Sequence, residues 1–161
     1  MLFFPGGHCS AASDCGWSLY TSDGHGVSFS RPGYGKTDVG RLNAAEFVPA
    51  VAECCEELGI DETAGAFGVS FGGMQALRAA WSLPDLVPRV VLHSCAPSTR
   101  VYPDTRREAC SARWLSPRHC RTSHGRRWRV WSIAAPSHLF WLGPTQAEAQ
   151  AAVSAFMASN P

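Results

Sequence analysis

Gly68-Val69-Ser70-Phe71-Gly72-Gly73 decides how the rest of this 161-residue chain is read. It is a G-x-S-x-G pattern with one further glycine. Ahead of it, Ala64 to Val69 is small and apolar, as a buried strand would be. Behind it, Met74 to Trp81 reads as a helix with Ala76, Leu77, Ala80 and Trp81 on one side. Strand, sharp turn and helix give the serine a chemical context: the turn holds it in a strained conformation with its hydroxyl pushed out at the top of a sheet. Gly68 and Gly72 leave room where side chains would strike neighbouring backbone. The Phe71 N–H falls at a helix N-terminus, where it can donate to a developing oxyanion. Ser70 is therefore a candidate nucleophile, against the plainer reading of a serine in a Gly-rich turn.

Upstream, Leu2-Phe3-Phe4 is a short apolar strand that runs into Pro5-Gly6-Gly7. Such a turn lets backbone N–H groups face a ligand without obstruction, so the Gly7 N–H is a second candidate oxyanion donor. Ala11 to Thr21 reads as a short helix and Val27 to Ser30 as a strand; His25 between them is a turn residue. Gly35-Lys36-Thr37 imitates the end of a P-loop. The full pattern needs glycine at position 30, which is Ser30, and a helix starting at once, whereas Asp38-Val39-Gly40 follows. A glycine-rich loop lining the same rim as Ser70 is the better account.

Asn43 opens the clearest helix, with Glu46 three residues on and Gly59 past its end. Phe47, Val48, Val51, Ala52, Cys55 and Leu58 recur at helical spacing and read as core. Arg89 to His93 is a further strand. Strands alternating with helices argue a mostly parallel α/β sheet, with binding groups at the C-terminal ends of the strands. Val130 to Ile133 reads as a last strand and Pro144 opens a last helix, with Ala147, Ala151, Val153, Ala155, Phe156 and Met157 available for an apolar face. His138 then sits on the loop between them. A serine nucleophile needs an imidazole to take its proton, and serine first with histidine near the C-terminus is a known order.

Length predicts one domain over residues 1–161, and a composition of 45% hydrophobic and 17% charged residues excludes global disorder. The formal net charge of +1 conceals an asymmetry. Residues 106–129 hold eight of the fourteen basic side chains and a single acid, Glu108. That arginine-rich segment lacks periodicity and reads as irregular. His119, Cys120 and His124 there do not form the two spaced ligand pairs that zinc takes. Arginine with interleaved Trp114 and Trp128 supports only weak, salt-sensitive nucleic-acid binding. Seven cysteines without framework spacing, no secretory leader and no membrane-length apolar run give the expectation of a cytoplasmic protein with reduced thiols.

The strand-plus-glycine turn (Phe3 to Gly7), the R-P-G-Y-G loop (Arg31 to Gly35), the elbow (Gly68 to Gly73) and Ser137-His138 resemble, in order, motifs of the α/β-hydrolase superfamily, especially its small esterase-like and peptidase-like members. The likeness covers residues 1 to about 104 and about 130 to 161. It implies Ser70 as nucleophile, His138 as base, and Gly7 and Phe71 as oxyanion donors. Family members usually place two strands ahead of the one at Leu2. Between the equivalents of residues 97 and 130 they carry a cap and a strand ending in the triad acid. Here the arginine-rich segment fills that gap, so the chain reads as a shortened member of the family. Asp104 is the substitute acid, because some members take it from the strand that here ends near His93. The expected activity is hydrolysis of a small ester, amide or related acyl substrate, with no cofactor, metal or membrane partner. The alternatives are a catalytically inactive fragment of the fold and a weak nucleic-acid binder.

Overall fold

The structure is a computed structural model that describes residues 1–21, 25–95, 119–121, 127–129 and 146–158. Four strands, β1 (Leu2–Phe4), β2 (Val27–Ser28), β3 (Ala66–Val69) and β4 (Val90–His93), form a parallel sheet of order β2-β1-β3-β4. Two helices, α1 (Ala44–Glu57) and α2 (Gly72–Ser82), lead into and out of β3. The expected α/β fold, with a mostly parallel sheet flanked by helices, is therefore present.

Alternation along the strands explains the layers. Leu2, Phe4 and Ala66 join Val48, Val51 and Cys55 of α1 and Ala76, Ala79 and Ala80 of α2 in one buried cluster. Phe3, Phe67 and Val69 join the opposite cluster, with Cys15, Trp17, Tyr20 and Val153. Leu2, Phe3, Phe4 and Phe67 are fully buried because both faces of the sheet are covered, as an unbroken apolar strand requires. Each buried phenylalanine contributes about 1.5–3 kcal/mol relative to an exposed one. The second face is covered by a 3-10 helix (Trp17–Tyr20) and by α3 (Gln146–Ala158), whose Val153 and Met157 pack there.

Chain order sets the site. From β1 the chain moves outward to β2, crosses back over β1 to β3, then continues away to β4. The loops leaving the adjacent strands β1 and β3 thus run in opposite directions, which opens a crevice at their carboxyl ends. Gly6 and Gly7 follow β1, and Ser70 follows β3.

Within the arginine-rich segment, read from the sequence as irregular, β5 (His119–Arg121) and β6 (Arg127–Arg129) pair antiparallel. Among the described residues, no helix is long and apolar enough to cross a membrane.

Candidate active site

β3 ends at Val69, which pairs with His93, and the Ser70 N–H continues the ladder by donating to the His93 carbonyl at 2.8 Å. α2 begins only two residues later. The chain makes that turn by placing Ser70 at φ +50°, in the left-handed region that few non-glycine residues enter. Close packing keeps the turn tight. A Cβ at Gly68 would stand 2.6 Å from the Gly73 Cα and 2.8 Å from the Ala76 Cβ. One at Gly72 would overlap the Phe4 carbonyl of β1. The result is a half-buried serine at the crest of a strand–helix elbow.

Two backbone donors flank it. Phe71 caps α2 with right-handed backbone angles, so its N–H belongs to the positive end of the helix. Gly6 lies against the elbow: a Cβ there would stand 2.5 Å from the Val69 carbonyl and 2.7 Å from the Ser70 Cβ. Gly7 follows at φ +54°, with nothing among the described residues within 4 Å of where its Cβ would be. Among the described residues, neither the Gly7 N–H nor the Phe71 N–H has a hydrogen-bond acceptor.

The neighbouring loops tie this rim together. The Ala11 N–H donates to Ser30 Oγ at 2.7 Å, and His8 faces Tyr34 with ring centroids 6.2 Å apart. Residues 31–37 form compact turns, with Tyr34 N–H donating to the Arg31 carbonyl and Thr37 N–H to the Tyr34 carbonyl. α1 begins only at Ala44, so the helix that a P-loop needs at Lys36-Thr37 does not start there and the likeness is superficial. On the far side, Cys95 Sγ lies 3.2 Å from the carbonyl oxygens of both Gly68 and His93. Burial pushes its thiol up to about 11, against the opposing pull of backbone N–H groups of His93, Gly73 and Ser70.

Of the residues singled out in the sequence, Ser70, Phe71 and Gly7 come together at one crevice. His138 and Asp104 lie outside the described residues, as do His124 and the expected strand at 130–133. The sequence did not single out Arg31, whose guanidinium donates to the Gly7 carbonyl and lies over Tyr34 and Phe71. The available signal was an arginine just past a strand on the side of the sheet where ligands bind. A groove at the opposite end of the sheet, lined by Met1, Val27, His25 and Ile60, holds none of these groups.

This geometry has counterparts. A sequence model of the alpha/beta hydrolase fold matches residues 7–114. No curated protein matches the chain. Among solved structures, Est816, described as an N-acyl homoserine lactone degrading enzyme, superposes with a TM-score of 0.50 at 20% identity. The match covers 58% of this chain and 37% of that one. Cfl2 from Burkholderia cenocepacia gives 0.54 at 17% identity, over 64% of this chain and 38% of that one. A membrane phospholipase A, described as a bacterial virulence factor, gives 0.52 at 20% identity, over 98% and 52%. The chain thus spans between about two fifths and one half of the length of these structures. The elbow after β3, the glycine turn after β1 and a family match over more than half the sequence lead to one assignment: the chain belongs to the alpha/beta hydrolase fold family.

Proposed function

We propose that this protein is a serine hydrolase acting on an ester, amide or related acyl substrate. The observation that carries the reading is Ser70 at φ +50° on the elbow, beside two backbone N–H groups without acceptors among the described residues. In this mechanism Ser70 Oγ attacks the acyl carbon and its proton passes to the His138 imidazole. The carbonyl oxygen becomes an oxyanion that accepts hydrogen bonds from Gly7 and Phe71 N–H. Collapse expels the alcohol or amine, which takes the proton from His138, and leaves an acyl ester on Ser70. A water then attacks that ester by the same route and releases the acid. Asp104 would orient His138 and stabilise the imidazolium. No cofactor enters these steps.

Fluorophosphonate labelling of the purified chain tests the reading. Wild type is expected to label, Ser70→Ala to lose all labelling, and His138→Ala to label about a thousandfold more slowly or worse. A folded, monodisperse wild type that does not label overturns the proposal and leaves an inactive form of the fold. Because Est816 degrades N-acyl homoserine lactones and another relative is described as a phospholipase A, the substrate panel should include acyl lactones and phospholipid esters beside simple acyl esters.

A further inference from the structure

We infer that Arg31 is a positioning residue that holds both halves of the oxyanion site. This rests on the hydrolase reading above for its catalytic consequence, and on geometry alone for its structural one.

Gly7 lies in the turn that Cys9 N–H closes by donating to the Gly6 carbonyl at 3.0 Å, but that bond does not reach the Gly7 carbonyl. Gly7 sits at φ +54°, and among the described residues nothing lies within 4 Å of the point where a Cβ would be, so none of them packs against it there. Glycine also has the widest choice of backbone states, and rotation there would swing the neighbouring peptide groups. The Gly7 carbonyl is held instead by the Arg31 guanidinium. The same guanidinium carbon lies 4.2 Å from the Tyr34 ring centroid and 5.6 Å from the Phe71 ring centroid. One planar cation therefore touches the two residues that would donate to the oxyanion. Phe71 is 65% exposed, so few other contacts fix its side chain.

Arg31 is itself held at a cost. Its Nε is buried and has no acceptor among the described residues. An orphaned buried donor is unfavourable, and such features persist where surrounding contacts fix them in place. Stacking on Tyr34 supplies that contact. Lysine would keep the charge but lose both the fork that reaches Gly7 and the flat face that lies on the rings.

Arg31→Lys and Arg31→Ala test this with two readouts. The first is the second-order rate of fluorophosphonate labelling at Ser70. Both variants are expected to label about 10- to 100-fold more slowly, a fraction of the loss caused by deleting an oxyanion donor. Added guanidinium ion is expected to restore part of the Arg31→Ala rate, which a general loss of fold would not allow. The second readout is the Gly7 amide in protein labelled with 15N-glycine, which needs no catalysis. Its shift is expected to move and its hydrogen exchange to accelerate in both variants. Wild-type labelling rates in Arg31→Lys, or an unchanged Gly7 amide in either variant, overturn the inference. Should Arg31→Ala fail to fold, Arg31→Lys decides alone. Should wild type itself fail to label, the hydrolase reading falls, while the Gly7 amide still reports on Arg31.

Discussion

Ser70 occupies a conformation that carbon chemistry resists. In the left-handed region an L-residue's Cβ crowds its own backbone, which costs on the order of 1–2 kcal/mol. The elbow enforces this because the Ser70 N–H is tied to His93 on one side, while α2 begins two residues later on the other. Glycine escapes the crowding, whereas alanine does not. In urea denaturation Ser70→Gly is therefore expected to be more stable than Ser70→Ala by about 1 kcal/mol, although both lose the hydroxyl. Equal stabilities, or a more stable alanine variant, would mean that the turn is not strained. A preference for glycine where the proposed nucleophile stands is the pattern of a backbone shaped for chemistry before stability. Ser94 repeats the conformation at φ +50° after β4, with Oγ 3.4 Å from His93 Nδ1.

At the scale of elements, α1 shows how far local signals carry. Asn43 Oδ1 accepts from Ala45 N at 2.9 Å and Glu46 N at 3.1 Å, and Glu46 Oε2 accepts from Asn43 N at 2.8 Å. This is the capping box expected from the sequence. Asn43→Ala is expected to cost about 1 kcal/mol, read as a lower urea midpoint with an unchanged slope. A midpoint equal to wild type would show that packing alone fixes the helix start. Phe47, Val48, Val51 and Cys55 are buried as their spacing demands, but Leu58 is the C-cap residue and is 57% exposed. Periodicity was legible there, and the point where the stripe leaves the core was not. Between Ala11 and Thr21 the expected helix shrinks to a 3-10 turn over Trp17–Tyr20. Asp14 Oδ1 takes the Gly16 N–H at 2.9 Å, and Gly16 at φ +85° breaks the helical path. Trp17 and Tyr20, three residues apart, then pack on Phe3 and Phe67. In α3 the alanine-rich sequence offered six apolar candidates with little contrast. Contact with the sheet selects Val153, with Met157 beside it, while Ala147, Ala151 and Ala155 stay exposed and Ala149, outside those six, is buried.

For the whole molecule, the sequence named Gly7, Ser70 and Phe71 without showing that they meet. Gly7 and Ser70 are more than sixty residues apart, and only the sheet order, with β1 beside β3, makes them neighbours. Arg31 became visible for the same reason, since its partners come from three separate loops. The same closure withdraws titratable groups from water on the face that packs α3. Burial pushes the Cys15 thiol up to about 12, with the adjacent Cys9 thiol adding to the shift. Burial also pushes Tyr20 up to about 12, and its hydroxyl has no hydrogen-bond partner among the described residues. At the elbow Cys95 is raised to about 11. In the unfolded chain these groups lose their protons near their ordinary values of 9.0 for cysteine and 10.0 for tyrosine. Between those values and the raised ones the native state binds more protons than the unfolded state, so stability falls as pH rises. The contribution is fully present below about pH 8 and is lost progressively up to about pH 12. Urea midpoints are expected to be flat with respect to these groups near neutrality and to drop steadily above about pH 9. Tyr20→Phe removes one titrating group and an unpaired hydroxyl together, so its midpoint should decline less steeply over the same range. The same protection predicts that buried Cys15 reacts with a maleimide at pH 8 only at the rate of global or local opening, far behind an unfolded control. A midpoint that holds through pH 11, or a Cys15 thiol that reacts in the native protein as fast as in urea, would mean that the sheet does not close over these groups.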